Sequence, residues 1–241
     1  MKSIFAKLHP TCKKAAQASA TPVMAGRLYG PKANGRITKV RLTAELSNVH
    51  IDYDESFEFG KSNKTPEYLA KFPLGQTPGF ESNDGLLLTE STAIAFYIAD
   101  LKENNPLLGK SKNELAKIRQ YAFYAETQIM PHSLALAFPA WGYAPYDASV
   151  EEKAYQGLNR ALEYLDKEFE GKTFLVGDSL TLADIVVGED LGIVYALILD
   201  PEYRAKYPNL TRFYHAYREI PEVKEVGGPI RLADKPLKVE A

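Results

Sequence analysis

Strand patterns in this chain occur only ahead of Ser111, and this limit constrains the fold more than any other feature. Val49, Ile51 and Tyr53 alternate with polar residues, as expected of a half-buried strand. From Ser111 onward apolar residues recur at helical spacing instead. The sequence therefore predicts a small mixed sheet followed by an all-α region.

The part that contains strands has the order βαβ–α–ββ–α. A strand candidate at Arg27–Tyr29 precedes a helix and then the strand at 49–53, a spacing that suits a parallel βαβ unit. A short helix is predicted from Pro66, because proline is favoured in a first helical turn. Strands at 77–80 and 86–89 flank a polar hairpin, and a helix with apolar residues at i, i+4 and i+7 follows them.

The all-α region is predicted to have one central helix. The run Thr181-Leu182-Ala183-Asp184 matches a capping box, and the helix that it starts is apolar on nearly all sides through Ile198. The neighbouring carboxylates Glu189 and Asp190 point about 100° apart on this helix. We therefore expect them at its rim and not as an acid/base pair. A last helix is predicted from about Pro208 to Ile220.

These patterns predict an α+β fold with two domains. Residues 24–103 form the mixed-sheet domain, 104–110 a linker, 111–228 the all-α domain and 229–241 a tail. Residues 1–23 carry four lysines and no acidic residue. That composition predicts a disordered tail or leader, with a mitochondrial presequence as the alternative.

Composition argues against several functions. The net charge of −2 and the lack of a basic stripe make nucleic acid an unfavourable partner. No apolar run approaches the roughly 20 residues that cross a membrane. The single cysteine, Cys12, allows no disulfide within the chain, and the four histidines have no metal-ligand spacing, so no metal is expected. A reducing, cytoplasmic location fits best.

Residues 30–37 have the glycine spacing of a phosphate-binding loop. They lack the lysine and the hydroxyl residue that follow the second glycine of such a loop, so nucleotide binding is not expected.

The stretch 71–99 contains two pairs of candidate site residues, Thr77-Pro78 and Glu90-Ser91. A cis proline at Pro78 would turn the N–H and C=O of Thr77 away from the sheet, open to a bound peptide. Proline is also allowed at the first residue of a strand for structural reasons alone. Glu90 and Ser91 precede a helix, where they are either an N-cap or an anion site made of a hydroxyl and free N–H groups. The predicted hairpin between Thr77-Pro78 and Glu90-Ser91 brings these two pairs of residues close together.

Three motifs resemble one known family. Leu74–Pro78 followed by Leu87–Ile94 resembles the glutathione transferase signature. The capping box that follows Phe174–Gly177 is similar to the one in that family's helical domain. The resemblance covers residues 26–228. It implies a thioredoxin-like N-terminal domain, an all-α C-terminal domain, and pairing as a homodimer.

Two subfamilies share further features with the chain. Residues 59–75 most resemble the glutathione-transferase-like domain of the elongation-factor-1 gamma subunit, and Leu28–Pro31 resembles the phi class. The resemblance implies two functions. One is a glutathione transferase that conjugates, or adds and eliminates, glutathione on a hydrophobic electrophile. The alternative is a non-catalytic interaction domain in a translation factor complex.

The resemblance also implies how glutathione would bind. The backbone of Thr77 would pair with the cysteinyl part, and Glu90 and Ser91 would hold the γ-glutamyl end. Gln76 and Lys64 would reach the glycyl carboxylate. Glutathione is the expected co-substrate.

The activating residue departs from the family pattern. Aligning the phi-class start without a gap puts Asn34 at the position of the catalytic serine, where its amide N–H₂ could donate to the thiolate. Lys32 and Arg36 would add positive potential. Asn34 is otherwise a helix N-cap only.

The acceptor would lie against the helical domain. Tyr121, Tyr124 and Trp141 offer apolar walls, two of them with hydroxyl groups. Large aromatic side chains are also common in protein cores, which is the alternative interpretation for all three.

Overall fold

The computed structural model of the chain describes residues 23–32 and 34–237. The predicted leader, apart from its last residue, and the end of the predicted tail lie outside these ranges. In the described ranges, no helix is long and apolar enough to cross a membrane. Nor does any group of three or more potential metal ligands assemble there.

The first half of the described chain contains one mixed β-sheet of four strands. Its strands are β1 (Val23–Tyr29), β2 (Val49–Tyr53), β3 (Gly79–Ser82) and β4 (Leu87–Thr89). Their order is β2-β1-β3-β4, in which β1 is parallel to β2 and antiparallel to β3, and β3 is antiparallel to β4. At Gly26, where the β1–β2 register shifts, an added Cβ would collide with the carbonyl of Glu81, so only glycine fits.

Three helices accompany the sheet: α1 (Gly35–Ser47), α2 (Pro66–Lys71) and α3 (Ser91–Asp100). Helices α1 and α3 pack against each other and share a buried apolar core with the sheet, which includes Leu28, Ile37, Val40, Phe80, Ile94 and Ile98. Tyr29 packs instead with a separate aromatic cluster that includes Tyr68 and Phe72, because neighbouring strand residues point to opposite faces. The predicted βαβ–α–ββ–α order is therefore the observed one.

The second half of the described chain consists of helices and the loops that join them. Its helices are α4 (Lys112–Tyr124), α5 (Met130–Ala140), α6 (Ala148–Glu168), α7 (Leu182–Ile193), α8 (Pro201–Arg204), α9 (Pro208–Arg218) and α10 (Pro221–Gly227). A π-helical turn at Ala125–Ile129 joins α4 to α5, and another at Val194–Ile198 follows α7. The predicted fold class, a mixed-sheet domain followed by an all-α bundle, is confirmed.

Helix α7 is the central helix, as predicted. The side chains of Thr181 and Asp184 form the capping box at its start, and every residue from Leu182 to Leu191 is buried. The prediction that Glu189 and Asp190 lie at the rim is wrong, because both are buried. Each has its own cation: Arg218 lies 3.3 Å from Glu189 and Lys39 lies 3.0 Å from Asp190. Paired charges can be buried at far lower cost than isolated ones.

Candidate functional site

Strand pairing places three segments at one edge of the sheet. Tyr29 and Thr89 both pair with Gly79. Because both pairings are antiparallel, the residues after Tyr29 and Thr89 leave the sheet at the same edge as the residues before Gly79. Gly30 lies beside Thr77, because a Cβ built on Gly30 would be only 3.5 Å from the Cβ of Thr77. We call this group, made of residues 30–32, Asn34, Thr77 and the start of α3, the site edge.

Thr77 presents backbone at the site edge. The Thr77–Pro78 peptide bond is cis, and β3 begins only at Gly79. Within the described ranges, the N–H and C=O of Thr77 join no strand, turn or side-chain partner. A hydrogen-bond donor and acceptor of the main chain are thus free to pair with an extended peptide.

The start of α3 offers an anion site. Ser91 is the first residue of this ten-residue helix and is only 3% exposed. Glu90 holds the N-cap position with a left-handed φ of 64° and is exposed, but its side chain makes no capping hydrogen bond. The first-turn N–H groups therefore remain available, and the helix dipole favours a carboxylate beside them.

Asn34 caps its own helix. Its Oδ1 accepts a hydrogen bond of 2.9 Å from the N–H of Arg36, and its carbonyl accepts one of 3.2 Å from the Thr38 hydroxyl. The Asn34 N–H₂ group donates to no residue of the described chain, so it is left for a ligand. Lys32 lies apart from this arrangement, in an exposed ion pair of 2.9 Å with Glu55.

Lys64 and Gln76 lie close to each other beside the site edge. Both are exposed, and the Lys64 ammonium lies 3.1 Å from where a Cβ on Gly75 would be. Their neighbour Asn63 is buried, donates to the Gly75 carbonyl at 2.6 Å and accepts from the Gly60 N–H at 2.6 Å. Asn63 thus holds the loop in shape, whereas Lys64 and Gln76 are free to meet a ligand.

Tyr121 and Tyr124 pack within the helical domain. Tyr121 is 3% exposed and its hydroxyl donates to Glu168. Tyr124 is half-buried, with its ring 4.7 Å from that of Tyr164 and its hydroxyl 3.3 Å from the Ala161 carbonyl. Burial raises the pKa of Tyr124 to about 12, so this hydroxyl stays protonated. Both side chains belong to the packing between α4 and α6.

Trp141 lies at the other end of this helical run. It follows the last residue of α5 and is 43% exposed. Its ring centroid lies 6.2 Å from that of Phe138 and 6.3 Å from that of Tyr143, which is also exposed. The structure does not bring Trp141 together with the two tyrosines.

A buried ion cluster near the site edge was missed by sequence reasoning. Lys39 on α1 is fully buried and lies 2.7 Å from Glu126 and 3.0 Å from Asp190. Burial raises the pKa of Asp190 to about 6, although Lys39 opposes this. Burial also acts to raise the pKa of Glu126, but Lys39, Thr92 and Arg36 together outweigh it and lower the pKa of that carboxyl. One signal in the sequence could have predicted this cluster. Asp190 lies within a helix that is apolar on nearly all sides, and a carboxylate buried in such a helix needs a cation beside it.

Two family models match the chain. One is the glutathione S-transferase N-terminal domain, over residues 24–100, and the other is the C-terminal domain of the same family, over residues 124–221. The glutathione S-transferase-like protein LUC7 of a Fusarium species is 41% identical over 210 residues, which are 87% of this chain and 95% of that protein.

Elongation factor 1-gamma proteins are also similar. Elongation factor 1-gamma-A of Xenopus laevis is 37% identical over 219 residues, or 90% of this chain. The chain spans about half (49%) of that relative's length. The crystal structure of the GST-like domain of elongation factor 1-gamma from Saccharomyces cerevisiae superposes with a TM-score of 0.77. That match covers 90% of this chain and 99% of the other at 22% identity, and so shows a shared fold.

Proposed function

The chain belongs to the glutathione S-transferase family, and we propose that it is a glutathione transferase that joins the glutathione thiolate to an apolar electrophile. One observation carries the proposal. A free stretch of backbone at Thr77, an uncapped helix start at Ser91 and an amide donor at Asn34 meet at a single edge of the sheet. Glutathione has a group for each of them.

The tripeptide would lie along this edge in an extended form. Its cysteinyl N–H and C=O would pair with the backbone of Thr77. Its γ-glutamyl carboxylate would accept from the Ser91 hydroxyl and the first N–H groups of α3, and Glu90 would take the ammonium group. Gln76 and Lys64, both exposed, would hold the glycyl carboxylate.

The chemistry would occur where α1 begins. The positive end of the α1 dipole and the free Asn34 N–H₂ would stabilise the thiolate, which lowers the thiol pKa. The thiolate would attack an electrophilic carbon of the acceptor, either displacing a leaving group that departs with the electron pair of its bond or adding to a polarised double bond whose π electrons then take up a proton. Retention of the new C–S bond gives a conjugate, whereas elimination of glutathione after a double bond has shifted gives an isomer.

The acceptor and the assembly belong to the same proposal. Trp141, with Phe138 and Tyr143, offers an exposed aromatic surface on the helical domain for a hydrophobic acceptor. A homodimer is part of the proposal because the family relationship implies it. The cytoplasm, which holds glutathione in its reduced form, would be the working location.

A second candidate function is an interaction domain of the elongation factor 1-gamma type. The similarity to elongation factor 1-gamma-A across 90% of this chain supports it. The capping bond that Asn34 Oδ1 accepts within α1 supports it as well, because that bond gives Asn34 a structural task that needs no ligand. This alternative predicts an empty or weak glutathione site and no turnover.

Two measurements on the unmodified protein separate these functions. Calorimetry compares glutathione with cysteinylglycine, which lacks the γ-glutamyl group. Spectrophotometry follows conjugation of glutathione to an activated aryl halide. A transferase binds glutathione much more tightly than the dipeptide and turns the halide over. Absence of both binding and turnover would reject the transferase in favour of the interaction domain.

A further inference from the structure

One buried ammonium group contacts three parts of the molecule. The Nζ of Lys39, on α1, lies 3.2 Å from the Thr92 hydroxyl on α3, 2.7 Å from Glu126 and 3.0 Å from Asp190 on α7. The Thr92 hydroxyl also donates to Glu126. We call these four residues the Lys39 cluster.

The Lys39 cluster joins the starts of α1 and α3, which flank the site edge, to the helical domain. Thr92 directly follows Ser91, at the start of α3. Lys39 lies five residues after Asn34, on the helix that Asn34 caps. Glu126 and Asp190 belong to the helical domain. The cluster therefore adds a polar connection between the two helix starts to the apolar packing of α1 against α3.

Stability alone does not account for such a cluster. A buried ion pair contributes little net stability, because the cost of removing two charges from water offsets their attraction. Asp190 Oδ2 is also buried without a hydrogen-bond partner in the described chain, which adds to the cost. A rigid, directional connection is what the arrangement does provide, since Lys39 can satisfy three acceptors only in one geometry.

We propose that Lys39 is a positioning residue, which holds the starts of α1 and α3 at the separation that glutathione requires. This inference rests on the proposed glutathione site. Thr92 transmits the position of Lys39 to Ser91, so the hydroxyl of Thr92 is the point at which the connection can be cut without changing any charge. Loss of this hydroxyl lets the start of α3, which would bind the glutamyl carboxylate, move relative to the start of α1, which would hold the thiol.

Thr92→Val removes that hydroxyl and keeps the shape of the side chain. We expect glutathione to bind about tenfold more weakly, as for a lost hydrogen bond to a charged group. We also expect the bound thiol to ionise at higher pH, because it no longer lies correctly at the start of α1. Calorimetry and the ultraviolet thiolate band measure the two effects. Thr92→Ser restores the hydroxyl and should restore both values.

Thr43→Val is the matched control. Thr43 is a buried threonine on α1 whose hydroxyl donates to the Lys39 carbonyl at 2.8 Å, within the same helix. It connects no two elements, so its loss should leave glutathione affinity within about twofold of the unmodified protein. Equal losses in Thr92→Val and Thr43→Val would overturn the positioning role while leaving the glutathione site intact.

A double substitution tests Lys39 itself. Lys39→Met with Asp190→Asn removes the ammonium and one carboxylate together, and leaves Glu126 partly in solvent with Arg36 nearby. We expect this folded variant to show the weaker binding and the raised thiol pKa of Thr92→Val. Unchanged values would overturn the inference. Failure of the unmodified protein to bind glutathione would be a different result, because it rejects the site as well as its positioning.

Discussion

The two ends of the site edge differ in what their polar groups already do. At the glutamyl end, Ser91 begins α3 and no side chain caps the first-turn N–H groups. At the proposed thiol end, the side-chain oxygen Oδ1 of Asn34 accepts a hydrogen bond from the Arg36 N–H. Only the side-chain N–H₂ group of Asn34 is left without a partner in the described chain. The proposed binding groups at the start of α3 thus have no capping partner, whereas Asn34, the proposed activating residue, already has a structural task. Affinity and catalysis should therefore respond to different substitutions.

The largest effect is expected at the glutamyl end. Ser91→Ala removes a hydroxyl that would donate to a carboxylate, and we expect the affinity for glutathione to fall at least tenfold. Calorimetry measures it. The control is Ser133→Ala, which removes a buried hydroxyl that donates to the Ile129 carbonyl at 2.8 Å in the helical domain. If both variants bind as the unmodified protein does, the glutamyl end is not where glutathione lies.

A smaller effect, of a different kind, is expected at the thiol end. Asn34→Ala removes the cap of α1 and should lower the free energy of unfolding by about 1 kcal/mol, as measured in denaturant. Asn34→Asp keeps an oxygen that accepts from the Arg36 N–H and adds a charge that suits a helix start, so its stability should stay near that of the unmodified protein.

The same pair of variants separates capping from activation. Both variants lack the N–H₂ group, and the aspartate also adds a negative charge that opposes the thiolate. Asn34→Ala should therefore raise the pKa of the bound glutathione thiol, and Asn34→Asp should raise it further despite its normal stability. The ultraviolet thiolate band, followed against pH, reports it. A thiol pKa equal to that of the unmodified protein would show that Asn34 serves only as a cap.

The smallest effect is expected beside the site edge. Lys64→Gln should weaken glutathione binding about threefold at low salt and less at high salt, because an exposed ion pair is worth less than about 1 kcal/mol. Lys61→Gln, in the same loop, is the control, since Lys61 pairs with Glu58 at 2.5 Å. Equal affinities of the two variants would remove Lys64 from the glycyl end.

Local pattern was sufficient to predict the fold and the position of Ser91 at the start of a helix. Alternation at 49–53 and the capping box at Thr181 are short-range signals, and each lies where it was predicted. The predicted hairpin between Thr77 and Ser91 is present, and it places the residues before Gly79 and after Thr89 at one edge of the sheet, because hairpin register follows from a few residues.

Long-range partners could not be predicted in the same way. Lys39 and Asp190 are far apart in the chain, and nothing in the residues around either one names the other. The carboxylates Glu189 and Asp190 were therefore expected at a rim, although each is buried against a distant cation. The aromatic residues show the same limit, since spacing does not distinguish a core tyrosine such as Tyr121 from an exposed Trp141.

The pKa of the glutathione thiol in complex with the unmodified protein tests the proposed catalysis most directly. A free cysteine thiol has a pKa of about 8.5. If the start of α1 and the Asn34 N–H₂ stabilise the thiolate, the bound thiol should ionise at least about one unit lower, near neutral pH. A bound thiol that ionises at the same pH as free glutathione would contradict the transferase proposal and leave a binding domain in its place.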